Sequence, residues 1–308
     1  MPEPMAYFNG NFLPSSQLAL PVHDAGFVLG VAISEQMRTF RGELFRLDQH
    51  MNRLRRSLEV VGVAPELDMV ALAEVARELV DRNHRLLHLD DDLGLSLFVT
   101  PGPYPTFAPA GLASQPTVCM HTYVLPFALW ASKYETGQSL AVTDITQVPS
   151  TCWPRELKCR SRMHYYLADR QAAVHLPGAR ALLLDADGCV VEASTANIVI
   201  YDREQRLVSP PQTRILPGVS LAVLEELSAE LGVEFEYREL HLGDLATARE
   251  AILTSTSSCV LPVVELNGEP LGSGVPGPIF ERLLAAWSDT VQVPIRAQAL
   301  RFADRERS

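Results

Sequence analysis

The alternation of apolar and polar positions predicts strands and helices in the first third of the chain. Residues 6–8 and Phe12 favour short strands, with Asn9 and Gly10 as the hairpin turn between them. Apolar residues at helical spacing predict one helix over residues 48–61, with Asp48 as its N-cap, and a second over residues 66–82. Two further strands are expected at Leu93–Thr100 and Thr117–Val124.

Residues 126–137 show no clear periodicity and predict a linker between two domains. Downstream, short apolar runs predict strands over residues 179–184, 190–193, 197–201, 233–237, 251–255 and 260–266. Helices are expected only over residues 163–174 and 219–231, so the order is not a strict βαβ alternation and indicates an α+β fold. The predicted domains are residues 1–125 and 138–291, followed by a loosely packed tail over residues 292–308.

Composition narrows the function classes. The 308 residues are 47% hydrophobic and 20% charged, which favours a folded core over disorder. A formal net charge of −11 argues against general binding to nucleic acid or anionic membranes, and no apolar run is long enough for a transmembrane helix. We expect no signal peptide. Five scattered cysteines without a C-x-x-C pair predict a reduced, cytoplasmic protein without a metal site.

Two residues stand out as candidates for chemistry. Lys158 lies among basic neighbours, which disfavour a protonated amine and favour a nucleophilic one that can form a Schiff base. A surface lysine is the alternative. Glu192 interrupts an apolar stretch, where a buried acid needs a partner such as a cationic heterocycle nitrogen. An edge-strand or turn position is the alternative for this residue.

Three further features are suited to binding an anion. Arg53 lies within a predicted helix, and the helix that begins at Val219 and Ser220 offers free backbone amides and the positive end of its dipole. The run 254–258, which includes Thr256, supplies hydroxyls and amides after a strand. Each feature also has an ordinary structural interpretation: a solvated arginine, a helix start and a polar turn.

The order and spacing of these motifs resemble the fold-type IV pyridoxal-phosphate enzymes. The chain carries H-x-x-R-L at residues 50–54, then Lys158, then E-x-x-x-x-N from Glu192, L-P-G at residues 216–218, and a Ser/Thr run before L-P-V at residues 261–263. This is the class IV aminotransferase family, with its branched-chain and D-amino-acid aminotransferases and aminodeoxychorismate lyase. The resemblance implies a smaller N-terminal α/β sandwich-like domain and a larger C-terminal pseudo-barrel domain.

The resemblance also implies a role for each site residue. Lys158 corresponds to the lysine that holds the cofactor and moves the α-proton, and Glu192 to the carboxylate that pairs with the pyridine nitrogen. The phosphate ligands are expected to be Arg53, the amides of Val219 and Ser220, and Thr256. Ser255, Thr256 and Ser257 lie where the family presents amides to a substrate carboxylate. The substrates implied are an amino acid and a 2-oxo acid, and the state implied is a homodimer.

Several positions depart from the family pattern. Met163 stands where branched-chain aminotransferases carry a tyrosine, and helical geometry is expected to direct Tyr165 and Tyr166 elsewhere. The loop 101–108 lacks the arginine and histidine of the D-amino-acid enzymes, and Ser255 replaces the asparagine of the lyase. Ser34 lies where relatives have a pocket aromatic residue.

The sequence leaves several functions open. An aminotransferase is the first prediction, and a lyase-like enzyme or a D-amino-acid aminotransferase is the alternative. A non-catalytic protein that binds a phosphate-bearing small molecule is a further alternative. Arg160 and Arg162 are unusual beside the lysine: they either bind a second carboxylate or are solvated or ion-paired.

Overall fold

The computed structural model describes residues 3–304, and the chain divides into two compact units. Unit 1 comprises Met1–Leu125 together with Leu157–Ser161, and unit 2 comprises Pro126–Glu156 and Arg162–Ser308. The division differs from the domain plan expected from the sequence, because the short segment that carries Lys158 joins unit 1 and the expected linker and tail belong to unit 2. Within the described residues, no helix is both long and apolar enough to cross a membrane.

Unit 1 contains a six-stranded sheet and three α-helices. Its elements are β1 (Met5–Phe8), β2 (Asn11–Pro14), α1 (Ala25–Val28), β3 (Ile33–Phe40), β4 (Glu43–Leu44), α2 (Leu47–Val61), α3 (Met69–His84), β5 (Leu93–Thr100) and β6 (Thr117–Val124). The strand order is β2-β1-β6-β5-β3-β4. All pairings in this sheet are antiparallel.

One face of the unit 1 sheet forms the core of the unit. Alternate side chains of β3, β5 and β6 point towards α2 and α3, since successive strand residues face opposite sides. Ile33, Leu95, Leu97 and Met120 are among these buried residues. The intervening residues of the same three strands line the opposite face. None of the apolar core residues lies on that face.

Unit 2 contains nine strands and six α-helices among the described residues. Its elements are α4 (Lys133–Thr136), β7 (Gln138–Val142), α5 (Met163–His175), β8 (Arg180–Leu184), β9 (Val190–Ala193), β10 (Ala196–Tyr201), β11 (Leu207–Ser209), α6 (Val219–Glu230), β12 (Phe235–Tyr237), α7 (Leu242–Thr247), β13 (Glu250–Ser255), β14 (Cys259–Leu266), β15 (Glu269–Pro270), α8 (Pro278–Val291) and α9 (Ile295–Arg301).

The unit 2 sheet closes on itself. Its order is β12-β11-β10-β13-β14-β7-β8-β9, and β9 also pairs with β10, so six strands from β10 to β9 form a closed ring. Strands β11 and β12 extend from β10, and β15 pairs with β14. Closure leaves every strand of the ring with a neighbour on each side, which removes the free edges of an open sheet.

Some local expectations need correction. Residues 126–137 are not a featureless linker, because they hold a 3₁₀ turn and α4, in which Tyr134 is fully buried. The part of the predicted tail that the structure describes contains α9, whose Ile295 and Ala299 are buried; residues 305–308 lie outside the described range. Helix α2 begins one residue earlier than predicted, so Asp48 lies in its first turn and is not the N-cap.

Candidate active site

Lys158 is a buried residue of unit 1. The chain contains only two lysines, and Lys158 is 8% exposed whereas Lys133 is half-buried on α4. The Lys158 backbone N–H donates to the Ser57 hydroxyl of α2 at 3.3 Å, and its carbonyl accepts from the Ser34 N–H at 2.9 Å. The alternative of a solvated surface lysine is therefore wrong.

The segment around Lys158 runs antiparallel to the start of β3. Cys159 bridges Ile33, and the Arg160 N–H donates to the Ala32 carbonyl at 2.8 Å. Cys159 packs against the unit 1 core with Ile33. Because side chains alternate along an extended chain, Lys158 and Arg160 lie together on the opposite side of the segment.

Arg53 is held by a buried acid that the sequence did not reveal. Its Nε and Nη2 atoms donate to the two oxygens of Glu35 at 2.7 and 2.8 Å, and His50 Nδ1 lies 2.7 Å from Glu35 Oε2. Burial raises the pKa of Glu35, but the charges and hydrogen bonds of Arg53 and His50 outweigh it and hold the pKa well below its usual range. Arg53 is thus buried and oriented by a carboxylate and is not solvated.

Glu192 is a buried acid of unit 2, on strand β9. It is 4% exposed, and β9 has partners on both sides, so an edge-strand or turn position is excluded. Burial raises the pKa of Glu192, while hydrogen bonds from the Tyr165 hydroxyl and the Leu216 backbone N–H oppose this rise. The side chain is therefore a buried carboxylate with several donors around it.

Tyr165 makes a contact that the sequence reasoning missed. Its hydroxyl donates to Glu192 Oε1 at 2.5 Å, and Gln147 also donates to this oxygen. Tyr165 thus points towards Glu192, whereas Tyr166 is exposed. That neither hydroxyl replaces the tyrosine missing at Met163 stays a prediction. Met163 is 69% exposed at the start of α5.

The start of α6 is built around Asn197, the cross-strand partner of Glu192. Asn197 Nδ2 donates to the Leu216 carbonyl at 2.9 Å, and the Leu216 N–H donates a hydrogen bond to the Glu192 carboxylate. A Cβ atom at Gly218 would lie 2.2 Å from Asn197 Oδ1, so this N-cap position accepts only glycine without rearrangement. The E-x-x-x-x-N and L-P-G motifs are thus in direct contact with each other. The L-P-G motif leads into the first residues of α6, Val219 and Ser220, which are buried.

The predicted Ser/Thr turn lies on the same sheet. Thr254 on β13 pairs with Asn197 on β10, and the chain then turns through Ser255, Thr256 and Ser257 before β14 begins. All three turn residues are half-buried, and the Ser255 and Ser258 hydroxyls lie 2.9 Å apart. Helix α6 packs against β13, so the helix start and this turn belong to one part of unit 2.

The sequence matches a known family over most of its length. The family model described as amino-transferase class IV matches residues 32–266. The chain belongs to this family. It is 30% identical over 285 residues to a D-alanine aminotransferase of Bacillus licheniformis, covering 92% of this chain and 96% of the relative.

Solved structures show the same fold. The branched-chain amino acid aminotransferase of Escherichia coli superposes with a TM-score of 0.84 at 22% identity, covering 94% of each chain. The branched-chain aminotransferase of the thermophilic archaeon Thermoproteus uzoniensis superposes with a TM-score of 0.81 at 22% identity, covering 96% of each chain. Another structural neighbour of the branched-chain type was determined with pyridoxamine 5′-phosphate. Class IV aminotransferases use pyridoxal 5′-phosphate, so the predicted enzyme class, cofactor and fold-type IV architecture are confirmed.

The residues of this class IV aminotransferase suit that cofactor. An aldehyde requires an amine protected from solvent, and Lys158 is buried. A protonated pyridine nitrogen requires an acid, and Glu192 is a buried acid held by donors. A phosphate requires cations or free amides, and the chain offers buried Arg53 in unit 1 and the glycine-capped start of α6 in unit 2.

A second cluster of polar side chains lies on unit 2. Among the described residues, Cys189, Glu239 and His241 place potential metal-ligand atoms within 4.8 Å of one another. Arg214 donates to Glu239 at 2.7 Å, so a guanidinium already neutralises the one carboxylate of the group. Because of this cation, the cluster gives no reason to revise the prediction that the enzyme has no metal site, which remains a prediction.

Proposed function

We propose that the enzyme transfers an amino group between an amino acid and a 2-oxo acid and that Lys158 is the residue that binds the cofactor covalently. The observation that carries this assignment is the burial of Lys158 in a chain with only one other lysine. Borohydride reduction of the yellow protein, followed by peptide mapping, tests it. We expect the reduced cofactor on the peptide that contains Lys158, and a label on Lys133 would overturn the assignment.

Each chemical task is assigned to a residue of the chain. When bound, the cofactor supplies an aldehyde that accepts the amino group and a ring that withdraws electrons from the substrate α-carbon. The Lys158 amine takes the proton from that carbon and later returns it as an acid. Glu192 keeps a proton on the pyridine nitrogen, and its hydrogen bonds from Tyr165 and the Leu216 N–H oppose the rise in pKa that burial causes.

The remaining predicted residues bind the two anionic groups. Arg53, the backbone amides of Val219 and Ser220, and Thr256 are assigned to the cofactor phosphate. Glu35 supports this role of Arg53 because it fixes the guanidinium through two hydrogen bonds. Ser255 and Ser257, with the amides of their turn, are assigned to the substrate carboxylate.

Replacing Tyr165 with phenylalanine tests the support of Glu192. A hydrogen bond to a charged group contributes about 1.5–3 kcal/mol, so we expect kcat to fall by roughly 10- to 100-fold. Loss of this donor raises the pKa of Glu192 further, so the acid side of the kcat–pH profile moves to higher pH.

The control for this experiment is Tyr166→Phe, because Tyr166 is exposed on the same helix. It removes the same hydroxyl group and is expected to leave the profile unchanged. If the profile of Tyr165→Phe superimposes on that of the wild type, the hydrogen bond to Glu192 does not support catalysis.

The relative from Bacillus licheniformis favours a second candidate function, a D-amino-acid aminotransferase. A panel of D- and L-alanine, glutamate and leucine with pyruvate or 2-oxoglutarate distinguishes the two stereochemistries. Transfer from only the D- or only the L-amino acids identifies the stereochemistry that the enzyme accepts. Release of pyruvate from aminodeoxychorismate without an acceptor would instead favour the lyase-like alternative, against which Ser255 argues.

We also propose that the enzyme is a homodimer in the cytoplasm. The homodimer follows from the family resemblance, and the five cysteines, all free, are consistent with a reducing compartment. Light scattering after size-exclusion chromatography tests the first statement, with about 68 kDa expected from twice the chain mass of 33.9 kDa. A mass of a single chain at micromolar concentration would contradict it.

A further inference from the structure

A cavity of about 510 Å³ lies on the face of the unit 1 sheet that is turned away from α2 and α3. Residues of unit 1 alone line it. The polar members that matter here are Gln36, Ser96, His121, Tyr123 and Arg160, and apolar neighbours such as Phe98 complete the wall. The cavity therefore combines a hydrophobic surface with a few polar groups, as small-molecule sites do.

The strand register builds the polar floor of this cavity. Gln36 on β3 pairs with Ser96 on β5, and Ser96 pairs with His121 on β6, so the three side chains form one row across the sheet. Gln36 Nε2 donates to the Tyr123 hydroxyl at 2.6 Å. A Cβ atom at Gly94 would lie 2.0 Å from the Tyr123 ring, so glycine at this position makes room for the phenol.

Arg160 supplies the positive charge of the cavity. Its Nη2 donates to the Ser96 hydroxyl at 2.6 Å, which fixes the guanidinium over β5. Burial, together with the charge of Arg160, lowers the pKa of His121, which disfavours a second positive charge in the cavity. The one acid in the wall, Asp24, already accepts hydrogen bonds from the Gly26 N–H and the Thr100 hydroxyl, and it caps α1.

The same face also carries Lys158 and an unsatisfied hydroxyl. Ser34 lies opposite Lys158, is 1% exposed, and its Oγ has no hydrogen-bond partner among the described residues. A buried hydroxyl that the chain leaves without a partner is available to a water or to a polar group of a ligand. The cavity thus lies on the face where the reacting carbon of a substrate bound at Lys158 is expected.

Distance decides which part of a substrate reaches Arg160. Ser96 lies on β5, two strand spacings from the segment of Lys158, and two residues along β5 from Phe98, which shares the row of Ser34 and Lys158. The two spacings across the sheet alone amount to about 10 Å. An α-carboxylate is bonded directly to the reacting carbon and stays near the lysine. A carboxylate at the far end of a four- or five-carbon substrate is better placed to reach the guanidinium.

We propose that Arg160 binds the side-chain carboxylate of a dicarboxylic amino acid or 2-oxo acid, with Ser96 positioning the guanidinium and the Gln36–Tyr123 pair completing the site. This assignment rests on the proposed function and adds the substrate class to it. Arg160 is a specificity-determining residue in this account, and the paired hydrogen bonds of a guanidinium suit a carboxylate.

Binding of unreactive acids tests the proposal without any turnover. Glutarate carries two carboxylates and butyrate one, and neither has an amino or oxo group. Calorimetric titration of the cofactor-loaded enzyme is expected to give tighter binding of glutarate than of butyrate. In Arg160→Gln the Kd of glutarate should rise by roughly 10- to 100-fold, as for loss of a charge-assisted hydrogen bond, while the Kd of butyrate stays unchanged.

Two further variants keep this test decisive. Arg56→Gln removes the same charge from an exposed position of α2 and is expected to bind glutarate like the wild type. Arg160→Lys keeps the charge and provides a folded comparison if the glutamine variant is unstable; its expected loss is roughly 3- to 10-fold. Equal binding of glutarate and butyrate by the wild type would overturn the proposal, as would an unchanged glutarate Kd in Arg160→Gln.

Steady-state kinetics provide the second readout. Arg160→Gln should raise the KM for glutamate and 2-oxoglutarate by roughly 10- to 100-fold and leave alanine and pyruvate within about threefold. Equal losses for both pairs would mean that Arg160 binds the α-carboxylate, which overturns the proposal. Absence of transamination with every pair would contradict the proposed function, whereas the glutarate titration would still decide the role of Arg160.

Discussion

Replacing Lys158 with alanine is expected to reduce the transamination rate at least about 10⁴-fold. The amine performs two tasks in the proposed mechanism, covalent attachment of the cofactor and transfer of the α-proton, and loss of a group with both roles is among the largest single effects in catalysis. Lys133, on α4, is the only other lysine of the sequence. Initial rates with the best donor–acceptor pair measure the effect.

Lys133→Ala is the matched control for this prediction and should retain wild-type activity. The absorbance spectrum adds an independent observation: Lys158→Ala should show the free aldehyde form of the bound cofactor, because the phosphate ligands are unchanged. A Lys158→Ala protein that keeps more than about one-tenth of the wild-type rate would contradict the assignment of the catalytic base.

The elements with the clearest periodicity were predictable from the sequence. Strands Leu93–Thr100 and Thr117–Val124 have the predicted limits, since alternate residues of each strand are apolar and face the core. Other elements were not predicted, including the eight-residue strand β3 and the 14-residue helix α8 as well as shorter elements. Strand β7 and helix α9 follow a weak pattern, and β7 is stabilised by neighbours that are distant in the sequence, β8 and β14. Tertiary pairing of this kind leaves little local signal.

The candidate site was predictable in residue type but not in its contacts. The motifs identified Arg53, Lys158 and Glu192, each of which is buried. Their partners were not predictable, because Glu35 and Tyr165 have no spacing that links them to Arg53 or Glu192. A buried charge needs a partner, yet the identity of that partner depends on strand pairing and helix placement. Residues 157–161 belong to unit 1 because of contacts with residues that are distant in the sequence, and such contacts leave no local signal either.

The Glu35–Arg53–His50 cluster yields the largest expected effect on stability. Glu35→Gln keeps the shape of the side chain but leaves the Arg53 guanidinium buried without its counter-charge. Removing one partner of a buried ion pair typically costs about 3–5 kcal/mol of unfolding free energy, and retention of an amide oxygen as acceptor puts the expected loss near the lower limit, about 3 kcal/mol at pH 7. Urea unfolding of the cofactor-free protein measures the loss, so that cofactor binding does not contribute.

The pH dependence identifies the charge as the cause. Because folding lowers the pKa of Glu35, this group stabilises the native state above its unfolded pKa of about 4.3, and the contribution is lost as the pH falls towards the folded pKa. The difference between Glu35→Gln and the wild type should therefore shrink as the pH falls below about 4.3. Glu59→Gln is the control on helix α2, since Glu59 pairs with Arg55 at 4.0 Å in an exposed position and should cost less than about 0.5 kcal/mol. Equal losses in the two variants would show that burial of the Glu35 pair does not stabilise unit 1.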